Sequence, residues 1–151
     1  MTKEEKELLL RDLCARSPYG VKCRFKWSFA NETTDYEEVT TEEDDTIKSI
    51  YLPTMEVEAS YYGELVSIED CRPYLRSMGS MTEEEKAELS ITVDKSDYEM
   101  DDTTMKNGFI IGIALGSSAV IDYLLSNHFD FLGLISKNLA IEVTKDTYKE
   151  K

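Results

Sequence analysis

His128 is the only histidine in the chain; it follows Asn127, stands two residues before Asp130 and six after Asp122. An imidazole oriented by a carboxylate is the usual general base, and a cysteine brought beside it would supply a nucleophile, which together describe a small hydrolase. A histidine that bonds the last free carbonyls of a helix, or packs there, uses the same residues, and this plainer reading is preferred. The acids Glu42, Glu43, Asp44 and Asp45, and the group Asp94, Asp97, Glu99, Asp101 and Asp102, have the oxygen ligands a hard divalent cation takes. Neither has the spacing of a calcium loop, and unconstrained carboxylates repel one another, so solvated charge is the better account of both. Zinc is disfavoured because Cys14, Cys23 and Cys71 show no C-x-x-C spacing. Gly108, Gly112 and Gly116 recur at four-residue intervals ahead of Ser117 and Ser118, but no Gly-Lys-Ser/Thr follows. A glycine-relieved core segment feeding a helix explains them without a phosphate ligand, and no cofactor is expected.

Charge narrows the classes further. The net charge is −14 and is unevenly placed: residues 1–30 carry net +3, 31–70 net −12 and 71–151 net −5. A field of that sign repels phosphate backbones and anionic membranes, so direct nucleic-acid binding and membrane association are not expected, and a protein with a basic surface is the plausible charged partner. The apolar run from Phe109 to Ile121 is too short for a membrane helix and meets Asp122. The three cysteines are far apart in sequence and suit reduced thiols, and no export signal is seen at the N-terminus, which predicts a cytoplasmic protein.

The elements that must position these residues are readable from periodicity. At 151 residues, 41% hydrophobic and 10% aromatic, the chain suits one domain with a real core. Thr2-Lys3-Glu4-Glu5 is a capping box opening a helix to about Arg16, with Leu9, Leu10, Leu13 and Cys14 along its apolar stripe. Pro18 and Gly20 turn the chain into a strand in which Val21, Cys23, Phe25, Trp27 and Phe29 alternate with Lys22, Arg24, Lys26 and Ser28. Residues 31–45 hold eight acids and are expected to pair in part as a strand and otherwise to form an acidic loop, which would neutralise the basic row of Lys22, Arg24 and Lys26. An antiparallel meander follows: a strand over 47–52, an alternating strand from Met55 through Tyr61 and Tyr62 to a turn at Gly63, and a return through Leu65, Val66 and Ile68. Thr82 caps a short helix ending near Leu89, and 94–107 has no periodicity and reads as a loop. In the last third, Ser117 or Ser118 caps a helix placing Ile121, Leu124, Leu125 and His128 on one face, Asp130 caps a second short helix through Lys137, and Leu139, Ile141 and Val143 form a final strand.

The blocks Leu8–Val21, Arg72–Met78 and Ser80–Lys86, with Asp122–Leu124, His128–Asp130 and Gly133–Ile135, resemble a family of small proteins of gut anaerobic bacteria and their phages and mobile elements. The family has no assigned activity, so the resemblance implies a phage or mobile-element context and assigns no functional residue. A second, local likeness joins Val57–Leu75 to the end of a Tudor-type SH3-like barrel, which implies a binding module.

The expectation is therefore an α+β domain: an antiparallel sheet, as an open layer or a small SH3-like barrel, with an N-terminal helix and a C-terminal helical hairpin. Its expected role is non-catalytic docking on another protein, with Trp27, Tyr51, Tyr61 and Tyr62 as aromatic anchors and Glu42, Glu43, Asp44 and Asp45 meeting a basic patch. The alternatives are an acidic mimic of nucleic acid that occupies a DNA-binding protein, and the hydrolase built on His128.

Overall fold

The computed structural model describes residues 1–30, 38–60, 63, 65–94 and 118–149. Two compact units emerge: Met1–Tyr74 with Leu139–Ile141, and Leu75–Asn138 with Glu142–Lys151.

In the first unit the capping box forms as expected: Thr2 Oγ1 accepts from the Glu5 amide at 3.2 Å and Glu5 returns a carboxylate to the Thr2 amide at 2.7 Å, opening helix α1 over Lys3–Arg16. Each such cap stabilises a helix by about 1 kcal/mol. The buried face differs from the expected stripe. Leu9 and Leu13 are buried, but they share their face with Asp12 and Arg16, while Leu10 is half-buried and Cys14 exposed. Positions 9, 12, 13 and 16 lie one turn apart on a single face, and the two charges are admitted because they satisfy each other. Arg16 donates through Nε to Asp12 Oδ2 at 2.7 Å and through Nη2 to Oδ1 at 3.0 Å, with both side chains fully shielded from solvent.

Gly20, in the left-handed region at φ 66°, then delivers the chain to strand β1, Lys22–Ala30. Val21, Cys23 and Phe25 are fully buried while Lys22, Arg24 and Lys26 face the other way, which is the alternation read from sequence. Burying Phe25 alone contributes about 2 kcal/mol. Strands β2 (Glu38–Tyr51), β3 (Glu56–Ala59), β4 (Leu65–Ser67), β5 (Cys71–Leu75) and β6 (Ile141–Glu142) complete an open six-stranded sheet in the order β4-β3-β2-β1-β5-β6. The pairs β1–β2, β1–β5, β2–β3 and β3–β4 are antiparallel. The sheet does not close into a barrel: β4 and β6 are its opposite ends. Residues 38–45 are strand, with Glu42 opposite Lys26 and Asp44 opposite Arg24 across the ladder; 31–37 lie outside the described residues.

In the second unit Thr82 and Glu85 form the second capping box, at 2.9 and 3.3 Å, and helix α2 runs over Glu83–Asp94, past the expected end at Leu89. Glu85 also takes both ends of the Arg76 guanidinium, at 2.9 and 2.8 Å, and Lys145 at 2.9 Å. Hydrogen bonds from Arg76 lead the effects that hold the Glu85 carboxyl down to about 2. The Arg76 guanidinium carbon lies 4.2 Å from the Phe129 ring centre, a cation–π contact.

Helix α3, Ser118–Ser126, buries Val120, Leu124 and Leu125. It ends before His128, which occupies the left-handed stop at φ 57°: its amide donates to Leu125 O, and the next amide, of Phe129, donates back to Leu124 O. The expected second helix is replaced by turns over 134–138. Asp130 does satisfy free amides, those of Leu134 and Ile135 at 2.8 Å each, but Gly133 at φ 73° and Asn138 at φ 58° bend the chain before a helical ladder can propagate. The final strand is also shorter than expected, at Ile141–Glu142. The expected loop over 95–107 and the glycine-spaced run at 108–117 lie outside the described residues.

Candidate docking surface on the open sheet

Strand register determines which charges share the solvent face of the first unit, because directly opposed residues project the same way. Arg24 opposes Asp44 on β2 and Arg72 on β5; Lys26 opposes Glu42; Lys22 opposes Thr46. Arg24 donates through Nε to Asp44 Oδ1 at 3.0 Å and reaches to 4.0 Å of Glu42 through Nη1, and its guanidinium lies 5.6 Å from the centre of the Tyr74 ring. The Tyr74 hydroxyl donates to the same Asp44 oxygen. Burial first, then that bond to Asp44, pushes the Tyr74 hydroxyl up to about 12. Burial works to raise the Asp44 carboxyl, yet the hydrogen bonds from Arg24 and Tyr74 together hold it below the ordinary carboxylate range. Of the basic row, Arg24 shows the expected neutralisation by nearby acids.

Alternation divides the four sequence-singled acids. Glu42 and Asp44 are exposed, whereas Glu43 opposes Phe25, Asp45 opposes Cys23, and both are half-buried on the inner face. Asp45 spends one oxygen on the Thr46 amide at 2.7 Å. Trp27 is likewise on the inner face, half-buried, its ring centre 5.9 Å from that of Phe25. Tyr61 and Tyr62 lie outside the described residues.

Tyr51 is exposed and has neighbours on its face that the sequence reading missed. Tyr51 opposes Glu56, Ser49 opposes Glu58, and Glu58 opposes Leu65, so these residues share a face across β2, β3 and β4. Tyr51, Leu52 and Leu65 are 45%, 59% and 51% exposed. Leu52 stands in the tight turn between β2 and β3, which Met55 closes at φ 54°. Between Tyr51 and Leu65, Glu58 accepts from Lys48 at 2.6 Å, from the Ser49 hydroxyl and from the Tyr51 hydroxyl at 3.3 Å. The bond from Lys48, then that from Ser49, keeps its carboxyl below the ordinary range. Among the described strands β4 is an end of the sheet, so Leu65 lies at the edge and Tyr51 two strands in.

His128, in the second unit, is buried and stacks on Tyr148 with ring centres 3.6 Å apart and planes within 10°. Asp130 gives both of its oxygens to main-chain amides, and Asp122 is exposed on α3. Among the described residues no group of three or more His, Cys, Asp or Glu side chains is placed to hold a metal ion. Cys23 and Cys71 are buried free thiols and Cys14 is an exposed one. Burial drives the Cys23 thiol well up, and the adjacent Cys71 adds to it, so it is a poor nucleophile. No described helix is long and apolar enough to cross a membrane. Comparison with protein-family models, with curated proteins and with solved structures found no match.

Proposed function

We propose that the protein is a non-catalytic interaction module that docks on a partner protein with a basic surface, in the phage or mobile-element setting its sequence resemblance implies. The observation that carries this reading is the set of exposed apolar side chains Tyr51 on β2, Leu52 in the turn that follows and Leu65 on the end strand β4, each about half exposed. Single exposed leucines are ordinary, but exposed apolar side chains on a sheet that has an end strand are how sheets receive partner segments. Glu56 and Glu58 flank the group, and a net charge of −14 steers cationic surfaces toward the chain. The test is affinity capture from the native host with two baits, the wild type and a Leu52→Ser/Leu65→Ser variant, washed at high salt. A protein retained by the first and lost from the second is expected. Equal recovery on both baits, or no specific protein on either, would refute the reading.

A further inference from the structure

The solvent face of the first unit holds a second feature that docking at β4 does not use. A pocket of about 290 Å³ is lined by Arg24, Lys26, Arg72, Glu42, Glu69, Asp70 and Ile141. Its floor contains an arrangement that stability alone disfavours: Arg24 and Arg72 are directly opposed across the β1–β5 ladder, where like charges repel. Asp44 offsets Arg24. Arg72 has no such carboxylate bond among the described residues; its Nη1 donates to the main-chain oxygens of Glu69 and Cys71, at 2.8 and 3.0 Å, and no described group accepts from Nε or Nη2. Lys26 is exposed and makes no ion pair within 4.0 Å with a described residue. Of the three acids, Glu69 is engaged by Lys6 at 2.8 Å, whereas Asp70 has no described ion-pair partner and Glu42 only the 4.0 Å approach of Arg24.

The pocket thus presents two unspent cations, Arg72 and Lys26, beside two little-used carboxylates, Asp70 and Glu42, with Ile141 as an apolar wall. A simple anion would face the carboxylates and a simple cation the guanidinium groups; only a ligand carrying both signs a few bonds apart is favoured at both. We infer that this pocket binds a small dipolar molecule with an ammonium group next to a carboxylate, that is, a free amino acid. The carboxylate takes the open guanidinium edge of Arg72 and the Lys26 ammonium, the ligand ammonium takes Asp70 and Glu42, and an aliphatic side chain lies on Ile141. The volume is sufficient for a molecule of that size.

The test is a titration of the full-length, isotope-labelled protein followed by amide NMR shifts at constant ionic strength, with leucine, glycine, acetate and methylammonium as separate probes. Leucine is expected to give saturable shifts centred on residues 24–26, 42 and 70–72, tighter than glycine, with acetate and methylammonium each at least tenfold weaker. Arg72→Gln, or Lys26→Gln should the first variant lower the melting temperature, is expected to weaken leucine at least tenfold. Acetate binding as tightly as leucine, undiminished leucine binding in a folded variant, shifts centred elsewhere, or no saturable shift from any probe would each overturn the assignment. The β4 edge takes no part in these readouts, so their failure leaves the docking proposal standing.

Discussion

Two regions of the solvent face of one sheet treat their functional groups in opposite ways. Where β1 meets β2, Arg24, Asp44 and Tyr74 satisfy one another. Where β2, β3 and β4 meet, Glu58 gathers Lys48, Ser49 and Tyr51, but the apolar groups of Tyr51, Leu52 and Leu65 stay uncovered. Exposed ion pairs contribute little to stability, typically under about 1 kcal/mol, because water competes for both partners. Uncovered apolar area keeps its whole driving force for a partner, about 25 cal/mol per Å² removed from water. Net charge therefore describes the approach of a partner to this protein, and the apolar edge describes where it stops.

The largest effect should come from removing what lies beneath the charged end. Arg16→Ala leaves Asp12 buried without its guanidinium, at a cost of about 3–5 kcal/mol, and a chemical-denaturation midpoint should fall accordingly. Binding at the apolar end should be lost with the fold in that variant. In the second unit, Glu85→Ala strands Arg76 in the same way, with a comparable loss of about 3–5 kcal/mol. The comparison then sharpens as the substitutions move outward. Leu52→Ser/Leu65→Ser should leave stability within about 0.5 kcal/mol of wild type while abolishing partner capture. Asp44→Asn should do the reverse, costing about 1 kcal/mol of stability and leaving capture unchanged, measured by the same denaturation and capture assays.

The pH dependence has a definite sign. Glu85 is held down to about 2 from an ordinary carboxylate value near 4.5, so its stabilising contribution is complete above about pH 4.5 and is lost as pH falls toward 2. Asp44, which despite burial is also held below the ordinary carboxylate range by Arg24 and Tyr74, acts in the same direction. Acid titration of wild type should therefore show a decline below pH 4.5 that flattens in a Glu85→Gln background. Equal slopes in the two proteins would show that the Arg76 pair does not carry the linkage.

Much of the framework was legible in the sequence because it rests on local rules. Both capping boxes, the β1 alternation, the meander and the neutralising pairs across β1 and β2 follow from spacing and period alone. The α1 stripe was misread because charged residues are ordinarily excluded from a core, and the i,i+4 geometry that admits Asp12 and Arg16 together becomes decisive only once the helix packs. The second C-terminal helix failed for a local reason that composition hides: Asp130 binds amides four and five residues ahead, and two left-handed residues bracket the segment. Of the docking surface, Tyr51 could be nominated from its residue type, but Leu52 and Leu65 could not, since their exposure depends on which strands cover them. Trp27 is nominated by residue type as an aromatic of the sheet, while its alternation with Lys26 and Ser28 puts it on the inner face, where it lies half-buried. The Arg24–Arg72 juxtaposition was invisible, because it needs the register of two strands far apart in sequence.

Amide hydrogen exchange on the complex with a captured partner tests the central claim most directly. Docking on the apolar edge predicts slowed exchange at residues 51–58 and 65–67 on binding, with rates at residues 22–26 unchanged. Slowing confined to 22–26, or spread evenly over the chain, would contradict it.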